Sequence, residues 1–384
     1  MTNHIALGMA QAAVLTKAGK LAEATALIQS VLNGRTAKLA NAPDDRLPDD
    51  TLIEGTFARL PESTPPNANP TQRKRAGLRE TLRSIAAGGM PEHATFAGKS
   101  PLHDAGATFA WFTHRNGHDQ RDFRLFIPAA PPSARMPLIV MLHGCTQSPD
   151  DFAVGTGMNA LAQQHGFMVA YPAQPTGANA NKCWNWFKPQ DQVRGSGEPA
   201  LIAGLTRDIL RDHPVDAARI YIAGLSAGGA AAAIVAAAYP ELFSAVGVHS
   251  GLPVGAAHDI PQAFAAMRNG APGTALPHGV PTIVIHGTAD ATVHPRNGKA
   301  VIAQTLKRLG KLQATTRKGV SAAGKSYRQT SYGMGDERSV CEHWEIDGAG
   351  HAWSGGQPQG SFTDPSGPAA SDEMVRFFLQ HAQP

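Results

Sequence analysis

The sequence has few cysteines and few aromatic residues. Only three of its 384 residues are cysteines, and 6% are aromatic. Three cysteines are too few for a scaffold whose stability comes mainly from disulfides. The chain therefore depends on an ordinary apolar core. Its length and its 42% hydrophobic content suffice for one large domain with an appendage.

Strong net charge and long apolar runs are also missing. The formal charge is +4, and the lysines and arginines are scattered except for "QRKR" at 72–75. This distribution argues against a nucleic-acid partner. Lys17, Lys20 and Glu23 interrupt the apolar positions near the start of the chain, so we predict neither a signal peptide nor a membrane span. We expect a cytoplasmic protein without a membrane partner.

Composition divides the chain into three parts. Residues 1–34 carry apolar residues at helical spacing and predict an N-terminal helical arm, which we interpret as a packing arm or the contact of a homodimer. A lid or docking helix is the alternative. Residues 35–105 are rich in Pro, Gly and Asn and predict a flexible linker. Residues 106–384 are the predicted folded domain.

Short apolar runs alternate with helical stretches in this third part. The predicted strands are 123–127, 138–142, 167–171, 220–223, 245–248, 282–285 and 343–346. The predicted helices are 157–165, 198–212, 230–239, 297–309 and 371–381. Alternation of this kind is typical of an α/β fold with a doubly wound, mostly parallel sheet. Such sheets bind ligands at the carboxyl ends of their strands.

A serine between glycines follows the strand at 220–223. The segment Gly224-Leu225-Ser226-Ala227-Gly228 matches G-x-S-x-G, in which small neighbours permit a sharp turn that lifts the serine hydroxyl above the sheet. A serine that merely caps the following helix is the alternative. The choice depends on catalytic partners elsewhere in the chain.

Two later segments supply such partners. A serine nucleophile needs a general base, and the base needs an orienting group, usually a carboxylate. Asp290 follows the strand at 282–285, and His351 lies on a glycine-rich loop after the strand at 343–346, which gives the order serine, acid, histidine. We predict these two residues as acid and base. The competing candidates are His143, His286 and His294 for the base, and Asp259 and Asp347 for the acid.

An oxyanion hole is the remaining requirement of this chemistry, because negative charge develops on the carbonyl oxygen under attack. The strand at 138–142 ends in His143-Gly144, where a loop begins. The backbone N–H of Cys145 is our first candidate donor, and that of Ala227 is the second.

Six ordered motifs resemble those of the poly(3-hydroxybutyrate) depolymerase family of esterases, a branch of the α/β-hydrolases that is similar to feruloyl and acetylxylan esterases. They are "LHGCTQ", "GTGMNALAQQHGFMVAYP", "CWNWF", "GLSAGG", "HGTAD" and "GHAWSGG". The resemblance implies an α/β-hydrolase fold and serine-esterase chemistry without metal or organic cofactor. It carries the nucleophile to Ser226, the acid to Asp290, the base to His351 and oxyanion donation to Cys145.

The resemblance also implies a substrate class. We expect hydrolysis of 3-hydroxybutyrate oligomers, polyester or similar short-chain esters through an acyl-enzyme intermediate. Secreted polymer depolymerases of the family usually carry a signal peptide and a polymer-binding domain, and we recognise neither, so oligomers and small esters are favoured. A feruloyl, acetyl or generic short-chain carboxylesterase is the alternative. A serine peptidase or a non-catalytic binding module of the same fold is a more distant one.

Two further features gain meaning from the resemblance. Trp353 and Trp184 are predicted to line the substrate site, with a core position as the alternative for each. The family places Cys145 and Cys183 on loops over the same sheet edge. They are either two separate thiols or a disulfide that fixes the oxyanion donor, and a disulfide would favour export over the cytoplasm.

Overall fold

The structure, a computed structural model, describes residues 106–383 except for 118, 130–134, 311 and 334–338. The predicted N-terminal arm at 1–34 and the whole of the predicted linker at 35–105 lie outside these residues. No helix in the described part of the chain is both long and apolar enough to cross a membrane.

A ten-stranded sheet forms the centre of the described fold, in the order β1-β2-β4-β3-β5-β6-β7-β10-β9-β8. The six neighbouring strands from β4 to β10 are parallel, and antiparallel strands extend the sheet at both edges. The strands are β1 Thr108–Asn116, β2 Asp119–Ile127, β3 Met136–Leu142, β4 Met168–Pro172, β5 Val215–Leu225, β6 Ala245–His249, β7 Thr282–Gly287, β8 Gln313–Val320, β9 Ser326–Gly333 and β10 Ser339–Ile346. Two short strands, β11 Trp353–Ser354 and β12 Thr363–Asp364, pair separately.

Helices cover both faces of this sheet. They are α1 Pro149–Thr156, α2 Met158–His165, α3 Gly197–Asp212, α4 Ala227–Ala238, α5 Ile260–Asn269, α6 Arg296–Leu309 and α7 Ala370–Leu379. Residues of α3, α4 and α6 belong to the apolar cluster on one face, and residues of α1, α2 and α7 belong to the cluster on the other.

The central strands are buried on both faces, which explains their continuous apolar sequences. In β3, Leu138, Val140 and Leu142 point into one cluster, while Ile139 and Met141 point into the other. Successive side chains of a strand alternate in this way because the pleat has a period of two.

The predicted fold class is confirmed: the sheet is mostly parallel and doubly wound. Each predicted strand and helix of the folded domain overlaps an observed one. The sequence analysis missed β1, β8, β9, β11, β12, α1 and α5. Strands β1 and β8 are largely exposed edge strands, so they lack the apolar runs that revealed the central strands.

Candidate active site

Ser226 stands at a strained turn between β5 and α4. Its φ and ψ angles are 58° and −119°, a conformation that residues with side chains rarely adopt and that occurs at functional turns. The Ser226 N–H donates to the carbonyl of His249 at 2.9 Å. The Ser226 side chain makes no capping hydrogen bond to α4. The alternative of an ordinary capping serine is therefore wrong.

Glycines on either side of Ser226 allow two backbone segments to meet. A Cβ atom on Gly228 would lie 2.1 Å from the carbonyl oxygen of Leu142, and one on Gly224 would lie 2.4 Å from the backbone of Gly228. Real Cβ contacts are never so short, so only glycine fits at both positions. The start of α4 thus lies directly against the end of β3.

Asp290 and His351 meet at the same edge of the sheet. Asp290 Oδ2 accepts a hydrogen bond from His351 Nδ1–H at 2.7 Å. Backbone bonds join the two loops, because Ala289 N–H donates to Ala349 at 3.0 Å and Thr288 N–H donates to Ile346 at 2.9 Å. The imidazole is thereby fixed by its Nδ1–H, which leaves Nε2 as the nitrogen that can accept a proton.

The Asp290 carboxylate is fully buried and remains ionised. Its Oδ1 accepts N–H bonds from Thr292 and Val293, each at 2.9 Å. Burial by itself raises the pKa of Asp290, but hydrogen bonds from His286 and His351 outweigh it and hold the pKa well below its usual range. Asp290 therefore stays negatively charged opposite His351.

The competing candidates have other contacts. Asp259 is the N-cap of α5 and accepts from Gln262 N–H at 2.7 Å, while Asp347 is exposed. His294 Nδ1 accepts from the N–H of Arg296 at 3.1 Å. Among the candidate bases, His351 makes the short hydrogen bond to Asp290, at 2.7 Å, whereas the ring of His286 lies 3.4 Å from the same carboxylate.

His249, which the sequence analysis did not single out, links the serine turn to the histidine loop. Its carbonyl accepts the Ser226 N–H, and its Nε2 accepts from the N–H of Ser354 at 3.0 Å. Its Nδ1–H faces Ser250 Oγ at 3.2 Å. The only sequence signal was its place at the end of a predicted strand. Its contacts bring the ends of β5 and β6 and the loop after β10 together.

The two predicted oxyanion donors have free amides. The N–H of Gly144 donates to Gln147 Oε1 at 2.8 Å, whereas the N–H of Cys145 has no acceptor among the described residues. Ala227 is the first residue of α4, where a backbone N–H has no partner within the helix. Both amides are available to an oxyanion, and their role stays a prediction.

Cys145 and Cys183 form a disulfide, with their Cα atoms 4.2 Å apart. The question that the sequence left open is decided in favour of the bridge. Cys341 is a free, buried cysteine. The disulfide ties the loop that carries the Cys145 amide to the segment that begins "CWNWF".

Further bonds hold the same loop in place. Trp184 Nε1–H donates to the carbonyl of His143 at 3.0 Å, and His143 Nε2 accepts from Gln174 N–H at 3.1 Å. His143 Nδ1–H in turn donates to the carbonyl of Gly144 at 2.8 Å. His143 is therefore a neutral structural histidine, with one ring nitrogen donating and the other accepting.

A buried carboxylate below this loop was not recognised from the sequence. Glu198 is 6% exposed and accepts from the backbone and side-chain N–H groups of Asn185 at 2.8 and 2.7 Å, and from Gln174. Burial, together with Asp191, raises the pKa of Glu198. No local pattern marks Glu198, because its partners lie far away in sequence.

The two tryptophans are core residues in the structure. Trp184 is 0% exposed and Trp353 is 1% exposed. The Trp353 ring stacks on His249 at 4.9 Å between centroids, and its Nε1–H donates to Ser371 at 3.0 Å. Both indoles thus support the loops of the site from within. Contact of either with a substrate stays a prediction.

These features define a class of protein. A mostly parallel sheet, a strained serine turn after its fifth strand and an acid–histidine pair on the later loops are the features of an α/β-hydrolase. Within the described residues, no group of three or more His, Cys, Asp or Glu is arranged to hold a metal ion. An acetyl xylan esterase from Aspergillus awamori has a similar fold, with a TM-score of 0.52 at 20% identity over 67% of this chain and 94% of that one.

The chain belongs to the esterase PHB depolymerase family, whose sequence model matches residues 121–329. Poly(3-hydroxyalkanoate) depolymerase C of Paucimonas lemoignei is 34% identical over 239 residues, which are 59% of this chain and 56% of that protein. Feruloyl esterase B of Neurospora crassa is 30% identical over 58% of this chain and 81% of that protein. The chain thus spans little more than half of the depolymerase.

We expect acid to destabilise the fold through its neutral histidines. Burial lowers the pKa of His143 to about 4 and that of His249 to about 3, from 6.5. At a pH between the folded pKa of each histidine and 6.5, the unfolded chain binds more protons than the folded chain. The stabilisation is therefore complete above pH 6.5 and is lost progressively as the pH falls from 6.5 to the folded pKa values. Each histidine should contribute a slope of about 1.4 kcal/mol per pH unit.

Urea unfolding near neutral pH and at about pH 5 measures this slope. His249→Gln removes one titrating group but keeps a side-chain acceptor, so its slope should be smaller by about 1.4 kcal/mol per pH unit. His165→Gln, at an exposed position of α2, is the control and should keep the wild-type slope. Equal slopes for wild type and His249→Gln would contradict the assignment.

The disulfide should matter for turnover as well as for stability. In Cys145→Ser/Cys183→Ser the loop that presents the Cys145 amide loses its covalent tie. We expect kcat to fall about tenfold, less than the loss of about 10²–10³ for removing an oxyanion donor, with KM little changed. Steady-state kinetics on a p-nitrophenyl ester measures both. Cys341→Ala is the control, and wild-type kcat in the double variant would refute the role.

Proposed function

We propose that the protein is a serine esterase that hydrolyses carboxylic esters through an acyl-enzyme intermediate. The observation that carries this proposal is the 2.7 Å hydrogen bond between His351 and the buried Asp290 carboxylate. His249 links the loop of His351 to the strained turn of Ser226. Membership of the esterase PHB depolymerase family supports the same chemistry.

Each residue has one task in the proposed reaction. His351 Nε2 takes the proton of the Ser226 hydroxyl as its Oγ attacks the ester carbonyl, and Asp290 stabilises the imidazolium that forms. The amides of Cys145 and Ala227 donate to the oxyanion. The imidazolium then protonates the leaving alcohol, and water, activated by the same imidazole, releases the acid and restores Ser226.

The proposed substrates are 3-hydroxybutyrate oligomers or related short-chain 3-hydroxyacyl esters. The 34% identity to a poly(3-hydroxyalkanoate) depolymerase supports this class. A feruloyl ester is the second candidate, because the match covers 81% of the Neurospora feruloyl esterase but only 56% of the depolymerase. Both candidates require the same acyl-transfer site.

The disulfide bears on where the protein acts. Cys145 and Cys183 are bridged, which is the condition under which the sequence analysis favoured export over the cytoplasm. Structural disulfides persist in oxidising compartments. We therefore propose that the protein functions in such a compartment. A homodimer through the arm at 1–34 stays a prediction, because that arm lies outside the described residues.

Covalent labelling tests the nucleophile. A fluorophosphonate should modify wild-type protein at Ser226, and Ser226→Ala should lose labelling together with turnover, by several orders of magnitude. Intact mass and peptide mapping locate the label. Ser196→Ala, at the N-cap of α3, where the serine side chain makes no capping hydrogen bond, is the control and should label normally. A label on another serine would end the assignment.

A substrate panel separates the two classes of ester. We expect 3-hydroxybutyrate oligomers to be cleaved with a higher kcat/KM than methyl ferulate, since the acyl site should match the depolymerase relative. p-Nitrophenyl esters of increasing acyl length provide the scale. Activity that falls steadily beyond butyrate, without oligomer cleavage, would instead identify a generic short-chain esterase.

A further inference from the structure

A second histidine contacts the carboxylate of Asp290. His286, on β7, is 1% exposed, and its Nε2 lies 2.8 Å from the carbonyl oxygen of Val293 and 3.4 Å from Asp290 Oδ2. A carbonyl oxygen can only accept, so Nε2 carries the proton. The same N–H therefore faces both the loop carbonyl and the oxygen that accepts from His351.

The contacts of Asp290 are divided between its two oxygens. Oδ1 accepts two backbone N–H groups of its own loop, while Oδ2 lies 2.7 Å from His351 Nδ1 and 3.4 Å from His286 Nε2. The backbone bonds alone leave the carboxyl group free to tilt about them. A second N–H directed at Oδ2, from His286, limits this tilt.

Packing holds the His286 ring in this place. A Cβ atom on Gly298 of α6 would lie 2.8 Å from His286 Nδ1, so the helix backbone lies directly against the ring. Nδ1 is buried and has no hydrogen-bond partner among the described residues. A buried nitrogen without a partner is costly. The ring is thus held by the contacts of its Nε2–H with Val293 and Asp290 and by its packing against α6.

We propose that His286 is a positioning residue, which holds Asp290 Oδ2 toward His351 through its Nε2–H and thereby keeps the base aligned with Ser226. This inference rests on the proposed esterase function. His286 does not contact the reacting atoms. Its removal should slow acylation without the loss that follows removal of a triad residue.

Three variants separate the hydrogen bond from the packing. His286→Gln places an amide N–H near the position of Nε2. His286→Met fills the space without a donor, and His286→Asn carries a donor that reaches only the position of Nδ1. The rate constant for fluorophosphonate labelling of Ser226 is the readout, because it requires no knowledge of the ester substrate.

We expect labelling about tenfold slower in His286→Met and His286→Asn, and within about threefold of wild type in His286→Gln, with KM for a p-nitrophenyl ester nearly unchanged in all three. His294→Gln, on the loop that carries Asp290, is the matched control and should label at the wild-type rate. Circular dichroism confirms that each variant is folded. If His286→Met does not fold, His286→Asn provides the comparison.

A double-mutant cycle with Asp290→Asn tests the coupling. If His286 acts through Asp290, its substitution should have little further effect once the carboxylate is gone. Equal slowing in the Met and Gln variants, additive effects in the cycle, or wild-type rates in both the Met and Asn variants would overturn the proposal. Failure of wild-type protein to label at Ser226 would instead overturn the proposed function.

Discussion

The close approach of two backbones, at the end of β3 and at the start of α4, is the constraint on which the site depends. A Cβ atom on Gly228 would lie 2.1 Å from the carbonyl oxygen of Leu142 and 2.5 Å from that of His143. No side chain separates these segments. Cys145 and Ala227, whose amides are the candidate oxyanion donors, come shortly after the ends of the neighbouring strands β3 and β5. The strained backbone of Ser226 persists only because the packed segments around the turn hold it in this conformation.

Neutral histidines and one buried carboxylate hold the loops around this contact. His143 and His249 each donate through one ring nitrogen and accept through the other, so they connect polar groups that apolar side chains could not orient. Their lowered pKa values and the raised pKa of Glu198 reflect the cost of burial. Hydrogen bonds offset that cost, and the Cys145–Cys183 disulfide adds a covalent tie.

The central sheet could be predicted because its information is local. Strands buried on both faces need continuous apolar residues, and the segments 138–142 and 282–285 show them directly. The edge strands β1 and β8 could not be predicted in this way, since they bury little and are held by backbone pairing with a neighbour. Their place depends on strands elsewhere in the chain.

The sequence itself determined the candidate residues for the proposed chemistry, because a nucleophile, an acid and a base lie on turns and loops that follow strands. Their order is a property of the chain. The tertiary structure alone decided the rest: the buried position of Trp184 and Trp353, the bridge between Cys145 and Cys183, and the contact of His286 with Asp290. Whether an indole faces a substrate or the core, or two sulfurs meet, depends on distances between loops that no local pattern encodes.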